Sequence, residues 1–152
     1  MHINTNHYLI LCLGMGLKGD LGVNMVAYQL MRYGWEVSIN YGKFSAGLHE
    51  MQGYDIFARK GRVERKVEVK LRDGFNGSEP GTVTITDAEY RLLTHLVVVL
   101  LYETAHTIYI IPKSSLRRIR KMWGGSYRVY LGDIKNYEVK NAMDWQYRLE
   151  NS

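Results

Sequence analysis

At 152 residues, 46% of them hydrophobic and 23% charged, the composition excludes a disordered polypeptide and gives no ground for splitting the chain; residues 1–152 are expected to form one domain. The single cysteine, Cys12, excludes an internal disulfide and a thiolate metal site, so a reducing compartment, the cytoplasm, is the expected location. Net charge is only +5, so where the charge gathers matters more than its size.

The N-terminal run HYLILCLGMGL is too short an apolar stretch to cross a bilayer, and no Lys or Arg precedes it. It reads as buried structure, and no membrane partner is expected. Gly14, Gly16 and Gly19 give G-x-G-x-x-G ahead of a helix, but no convincing βαβ unit or ribose-binding acid follows; the glycines more simply loosen the helix start. From about Leu17 to Tyr33, residues Leu21, Val26, Leu30 and Tyr33 recur at helical spacing, and Gly34 follows as a C-cap. WEVSIN alternates as a strand, and the glycine-spaced YGKFSAGLHEMQG predicts a long loop. YDIFARKGRVERKVEVKL predicts a hairpin from Tyr54 to Leu71, turning at Lys60-Gly61.

RDGFNGSEPG predicts a second loop. ITDAEYRLLTHL then predicts a helix, N-capped by Thr86 with Glu89 completing a capping box. LVVVLLYE, apolar on both faces, predicts a central covered strand, and TIYIIP its hairpin partner. KSSLRRIRKMW reads as a basic helix capped by Ser114 or Ser115, followed by a strand in YRVYLGDI and a short helix near NAMDWQYRL. The order predicts an α/β fold, a mixed central β-sheet flanked by helices.

Charge gathers in two places. Arg59 to Arg72 holds seven basic residues against Glu64 and Glu68, an excess equal to that of the whole chain. Lys113 to Lys121 adds Lys113, Arg117, Arg118, Arg120 and Lys121 with no acid among them. Such clusters suit a polyanion, because neutralising phosphates releases counterions; solvated faces are the bland alternative.

The first cluster contains VERKVEVKLRDG, in which Val67, Val69 and Leu71 point to one side of a strand and Glu64, Lys66, Glu68 and Lys70 to the other. With the turn at Lys60-Gly61, Ile56 falls opposite Arg65 and Asp55 opposite Lys66, so Asp55 joins the charged side near Glu68. Two carboxylates and an amine on one rim suit phosphodiester hydrolysis. Mg²⁺ binds through one or two carboxylates plus waters and substrate phosphate, and lysine, a compact cation, steadies the developing charge or the attacking water. The bland alternative is a salt-bridged strand face that serves solubility.

GYDIFARKGRVERKVEVKLR resembles the PD-(D/E)xK nuclease superfamily, which includes many restriction endonucleases and archaeal Holliday junction resolvases, with Asp55 as the first acid and Glu68-Val69-Lys70 as the E-x-K element. LGVNMVAYQLMRYGWEVSINYG looks like the leading helix and first strand, and LVVVLLYETAHTIYIIP like later core strands, so the resemblance covers roughly Leu17 to Pro112. It implies a restriction-endonuclease-like core and a Mg²⁺-dependent endonuclease acting on DNA, with Mn²⁺ as a possible substitute. Asp55 and Glu68 are then the metal ligands, Asp55, Glu68 and Lys70 the catalytic set, and Lys43, Arg59, Arg72, Arg117, Arg118 and Lys121 the nucleic-acid contacts. By analogy a homodimer is expected, two sites meeting two strands. The chain departs from the pattern at Tyr54, where proline is usual, and at Val23, where many members carry a helix glutamate as a further ligand. Asp20 lies about one turn earlier, either replacing that ligand or complementing the helix dipole. Two alternatives follow: a non-catalytic nucleic-acid-binding module of the same fold, and an RNA-directed nuclease.

The five histidines (His2, His7, His49, His95, His106) lack HxH or HExxH spacing, which argues against zinc. YGKF and DGFNG put Tyr41, Phe44 and basic groups on the expected loops, where they either stack on bases or pack on the fold.

Overall fold

The structure is a computed structural model and describes residues 17–40, 53–73 and 81–151. The segment before residue 17, with Cys12, and the two expected loops, with Lys43, Tyr41, Phe44 and His49, fall in residues outside that description.

Helix α1 (Leu17–Arg32) carries Asp20 in its first turn and Arg32 in its last, charges that complement the helix dipole. Val23, Val26, Ala27 and Leu30 form its buried stripe. It stops at Gly34, whose φ of +82° suits a residue without a Cβ.

The main sheet contains β1 (Glu36–Ile39), β2 (Ile56–Lys60), β3 (Val63–Asp73), β5 (His95–Leu101), β6 (His106–Pro112) and β9 (Glu138–Val139), in the order β1-β2-β3-β5-β6-β9. Only β3 and β5 run parallel; the other neighbours are antiparallel. A parallel pair needs a crossover, here β4 (Thr82–Thr86) and α2 (Asp87–Leu92). β4 pairs with β8 (Ser126–Tyr130), which pairs with β7 (Lys121–Trp123), giving a second sheet. Helix α3 (Lys113–Ile119), a 3₁₀ segment (Leu131–Tyr137) and α4 (Ala142–Glu150) complete the order.

Two hydrophobic clusters lie on opposite faces of β5. Val97 and Val99 join Val26, Leu30, Val67, Val69, Trp145 and Leu149, packed beneath α1 and α4. Leu96, Val98 and Leu100 join Val83, Ile85, Leu116, Val129 and Ile134, packed beneath the second sheet and α3. The expected α/β fold, a mixed central sheet flanked by helices, is the one found. No helix among the described residues is long and apolar enough to cross a membrane.

Several element bounds are corrected. TVTIT, for which no element was expected, is a strand with Val83 and Ile85 buried and Thr84 and Thr86 exposed. The helix begins at Asp87 behind its Thr86 cap, as expected, but ends at Leu92 rather than running on to Leu96, and Leu131–Tyr137 is a 3₁₀ segment where strand was expected through Ile134. The basic helix ends at Ile119 and is preceded by Pro112 with no side-chain cap, so neither Ser114 nor Ser115 caps it; Lys121–Trp123 is strand. At the break Arg120 is in extended conformation, and its guanidinium lies 3.9 Å from the centroids of both Tyr90 and Tyr127. The two-residue strand β9 was not anticipated.

Candidate active site

β2 and β3 pair with Ile56 facing Val67 and Lys60 facing Val63, so the turn is Gly61-Arg62, with Gly61 at φ +60°. The expected turn at Lys60-Gly61 is one residue early, which moves each cross-strand partner by two. A shift of two keeps every side chain on its face, whereas a shift of one flips them all. Asp55 therefore stays on the side of Glu68 and Lys70, but continuing the register sets it opposite Glu68 rather than Lys66. Its backbone N donates to Val67 O at 2.9 Å, and its Oδ2 accepts from Val69 N at 2.8 Å. These two bonds bracket Glu68.

The charged side of β3 is not wet at this level. Glu68 is 1% exposed, because the β4–α2 crossover folds over its face. Lys70 Nζ lies 2.8 Å from Glu68 Oε1 and 2.9 Å from Glu89 Oε1 on α2. Glu89 is the residue that sequence reasoning assigned only to helix capping. It does both tasks: one carboxylate oxygen accepts from Thr86 N at 2.8 Å while the other meets Lys70. The capping box accounted for Glu89 locally, so no unexplained signal marked it.

Burial pushes the Glu89 carboxyl up, but the Lys70 ammonium, the Thr86 amide and hydrogen bonds with Lys70 and Glu68 outweigh it and hold the group at about 2. Gly53 makes the convergence possible. A Cβ there would meet Ala88 O at 2.6 Å and Glu89 Cα at 2.9 Å, both backbone, so only glycine lets the segment before Asp55 press against α2.

α1 approaches the other side of β3: a Cβ on Gly22 would lie 3.0 Å from Leu71 Cβ and 3.4 Å from Val69 Cγ1. Val23 is core and Asp20 is a first-turn charge, so the acid gathered at Lys70 from a helix is Glu89.

The expected nucleic-acid contacts divide. Arg59 pairs with Glu36 at 2.6 Å. Its neighbours Lys60 and Arg65 hold Glu150 and Leu149 O on α4, each at 2.6 Å, so much of the first basic cluster ties the fold together. Arg72 continues the face of Glu68 and Lys70, and burial pushes its guanidinium pKa down. Arg117 and Arg118 are exposed on α3, and Lys121 is exposed on β7. Lys43 lies outside the described residues. Beside Asp55 a groove of about 390 Å³ is lined by Ser38, Ile39, Asn40, Tyr54 and Phe57, with Lys66 Nζ 5.7 Å from the Tyr54 ring centroid.

No family model and no curated protein matches the chain. Among solved structures it is similar to Hjc, a Holliday junction resolvase of the archaeal hyperthermophile Archaeoglobus fulgidus, at 16% identity and a TM-score of 0.55, over 83% of this chain and 93% of that one. It is also similar to the bacterial homing endonuclease I-Ssp6803I, at 17% identity and a TM-score of 0.49, over 90% and 88%. At such identity the first likeness is one of fold, and at that level the restriction-endonuclease-like core expected from the sequence is found.

Proposed function

We propose that the chain is a divalent-metal-dependent endonuclease that hydrolyses phosphodiester bonds in DNA, and that residues 1–152 act as one unit built on the shared strand β5. The observation that carries this reading is the Val69 N to Asp55 Oδ2 bond, which fixes an acid from one chain segment against the middle residue of Glu68-Val69-Lys70. A fold similar to that of a Holliday junction resolvase and the 2.8 Å pairing of Lys70 with Glu68, on the strand that Asp55 Oδ2 bonds, support it.

Mg²⁺ asks for hard oxygen donors and takes one or two protein carboxylates, keeping several waters. Among the described residues no group of three or more His, Cys, Asp or Glu side chains could hold a metal ion, so the reading asks only for the two-carboxylate mode. Asp55 and Glu68 would hold Mg²⁺, or Mn²⁺ in its place. When bound, the ion polarises the phosphoryl oxygen and lowers the pKa of a coordinated water. Lys70 compensates buried Glu68 and half-buried Glu89 and offers its ammonium to charge that builds on the phosphate. Arg72 beyond Lys70, with Lys43, Arg59, Arg117, Arg118 and Lys121, supplies backbone contacts. The working assembly is a homodimer, checked by sedimentation.

One observation favours a binding module that does not cut: Glu68 is fully buried and Lys70 already engages two carboxylates. Plasmid, branched DNA and RNA, each incubated with and without Mg²⁺ or Mn²⁺, separate the readings. DNA cleavage that needs the ion and disappears in Lys70→Ala is the expected result. Tight binding with no cutting selects the module, and cutting confined to RNA selects the RNA nuclease.

A further inference from the structure

The outer face of the second sheet has no part in the site just described. On β4, β8 and β7 the residues that alternate away from buried Val83, Ile85 and Val129 are Thr84, Thr86, Ser126, Arg128, Tyr130, Lys121 and Trp123. This face holds two cations, two aromatic rings and no acid. Trp123 is 58% exposed, with the Arg128 guanidinium 3.5 Å from its ring centroid; Lys121 Nζ stands 4.8 Å from the centroid of Tyr130. Among the described residues, Arg117, Arg118, Arg120, Lys121 and Arg128 form no ion pair with an acid, in contrast to Arg59, Lys60 and Lys70. The second basic cluster is thus uncompensated positive charge interleaved with rings.

Position ties this face to the site. Thr86 pairs with Ser126, and Ser126 pairs with Trp123, so Trp123 lies two strands from Thr86, roughly 10 Å away. Thr86 caps α2 through Glu89, and Glu89 holds Lys70. Trp123 therefore lies at the Thr86 end of the second sheet, the end from which α2 carries Glu89 to Lys70.

We propose that the β7–β8 hairpin is a stacking platform for an unpaired nucleobase, with Trp123 as the ring that carries it and Lys121 and Arg128 as the cations that hold the adjoining phosphates. Positive charge without acids fits a nucleic acid strand better than a second copy of this basic chain. The inference rests on the nuclease reading for its biological sense: it assigns that site a substrate with unpaired bases.

Tryptophan emission tests it directly, because the other two tryptophans, Trp35 and Trp145, are each only 4% exposed. The full chain is titrated without divalent ion with oligo(dT), oligo(U) and a blunt duplex, while the anisotropy of a labelled oligonucleotide reports binding. Saturable quenching by oligo(dT), weaker with blunt duplex, is expected. Trp123→Ala should abolish it and weaken oligonucleotide binding by roughly 5- to 150-fold, with Trp123→Phe restoring much of the affinity. An equal response to oligo(U) assigns the platform to bases of either nucleic acid; a response confined to oligo(dT) assigns it to DNA. Oligonucleotide binding with unchanged emission and no effect of Trp123→Ala overturns the proposal. So does self-association that Trp123→Ala abolishes while oligonucleotides leave the emission unchanged, which would make the hairpin a contact between copies. Quenching without ion-dependent cleavage sinks the nuclease reading alone, and cleavage with a silent Trp123 sinks the platform alone.

Discussion

The two sides of β3 are built from alternate residues of one strand and are buried for opposite reasons. Val67, Val69 and Leu71 lie under α1, where burial of apolar area stabilises the fold. Glu68 and Lys70 lie under the β4–α2 crossover, where burial of charge costs stability unless partners compensate it. The first side needs no function to explain it. The second is where we place the proposed site, because hydrophobic residues of similar volume often serve a fold as well or better. Buried polarity, rather than polarity as such, is what singles it out.

The largest effect that would sharpen this contrast is expected at Lys70. Lys70→Ala should lower cleavage by roughly 10²- to 10³-fold and, by stranding Glu68 and Glu89, reduce stability by about 3–5 kcal/mol, read from nicking assays and urea titration. The combined variant Glu68→Leu, Lys70→Met, Glu89→Gln removes the charge of the three paired side chains at once and keeps a capping side chain on α2. It should abolish cleavage yet melt at or above the wild-type temperature; a large loss of stability would mean the ionic cluster is structural. On the opposite side, Val67→Ala should cost about 2 kcal/mol in urea while leaving the cleavage rate intact.

Acid should unfold the two sides in different windows. His95 lies in register with Val67; its ring nitrogens meet Arg148 O at 3.1 Å and Thr94 Oγ1 at 3.0 Å. Burial, with the nearby Arg65 charge, pushes it down to about 4, against a bond to Arg148 that raises it. The unfolded chain then binds the proton first, so stability is full above about 6.5 and falls as pH drops toward 4. Glu89, held at about 2, contributes stability that is full above 4.5 and is lost between there and 2. Urea midpoints measured against pH should show both legs, and Glu89→Gln should flatten only the lower one.

Much of this was legible in the chain. The valines of β3, the apolar run of β5 and the Thr86–Glu89 capping box each follow from local periodicity or spacing, and each is found. The site was half legible: alternation placed Asp55 with Glu68 and Lys70 despite the wrong turn, since an even error in register preserves the face. What alternation cannot express is what covers that face. The burial of Glu68 and the arrival of Glu89 depend on where the crossover folds and on the contact of Gly53 with Ala88, a relation between segments 35 residues apart. The strand at Lys121–Trp123 was lost for a similar reason, because its pairing with β8 and the stacking of Arg120 on rings from α2 and β8 are relations between distant segments.

Mn²⁺ binding followed by electron paramagnetic resonance, in wild type and in Asp55→Asn, tests most directly whether the two acids share an ion. The proposed two-acid site predicts one saturable ion per chain and a loss of affinity of at least about tenfold in the variant. Identical titrations for the two proteins, or no saturable ion in the wild type, would contradict it.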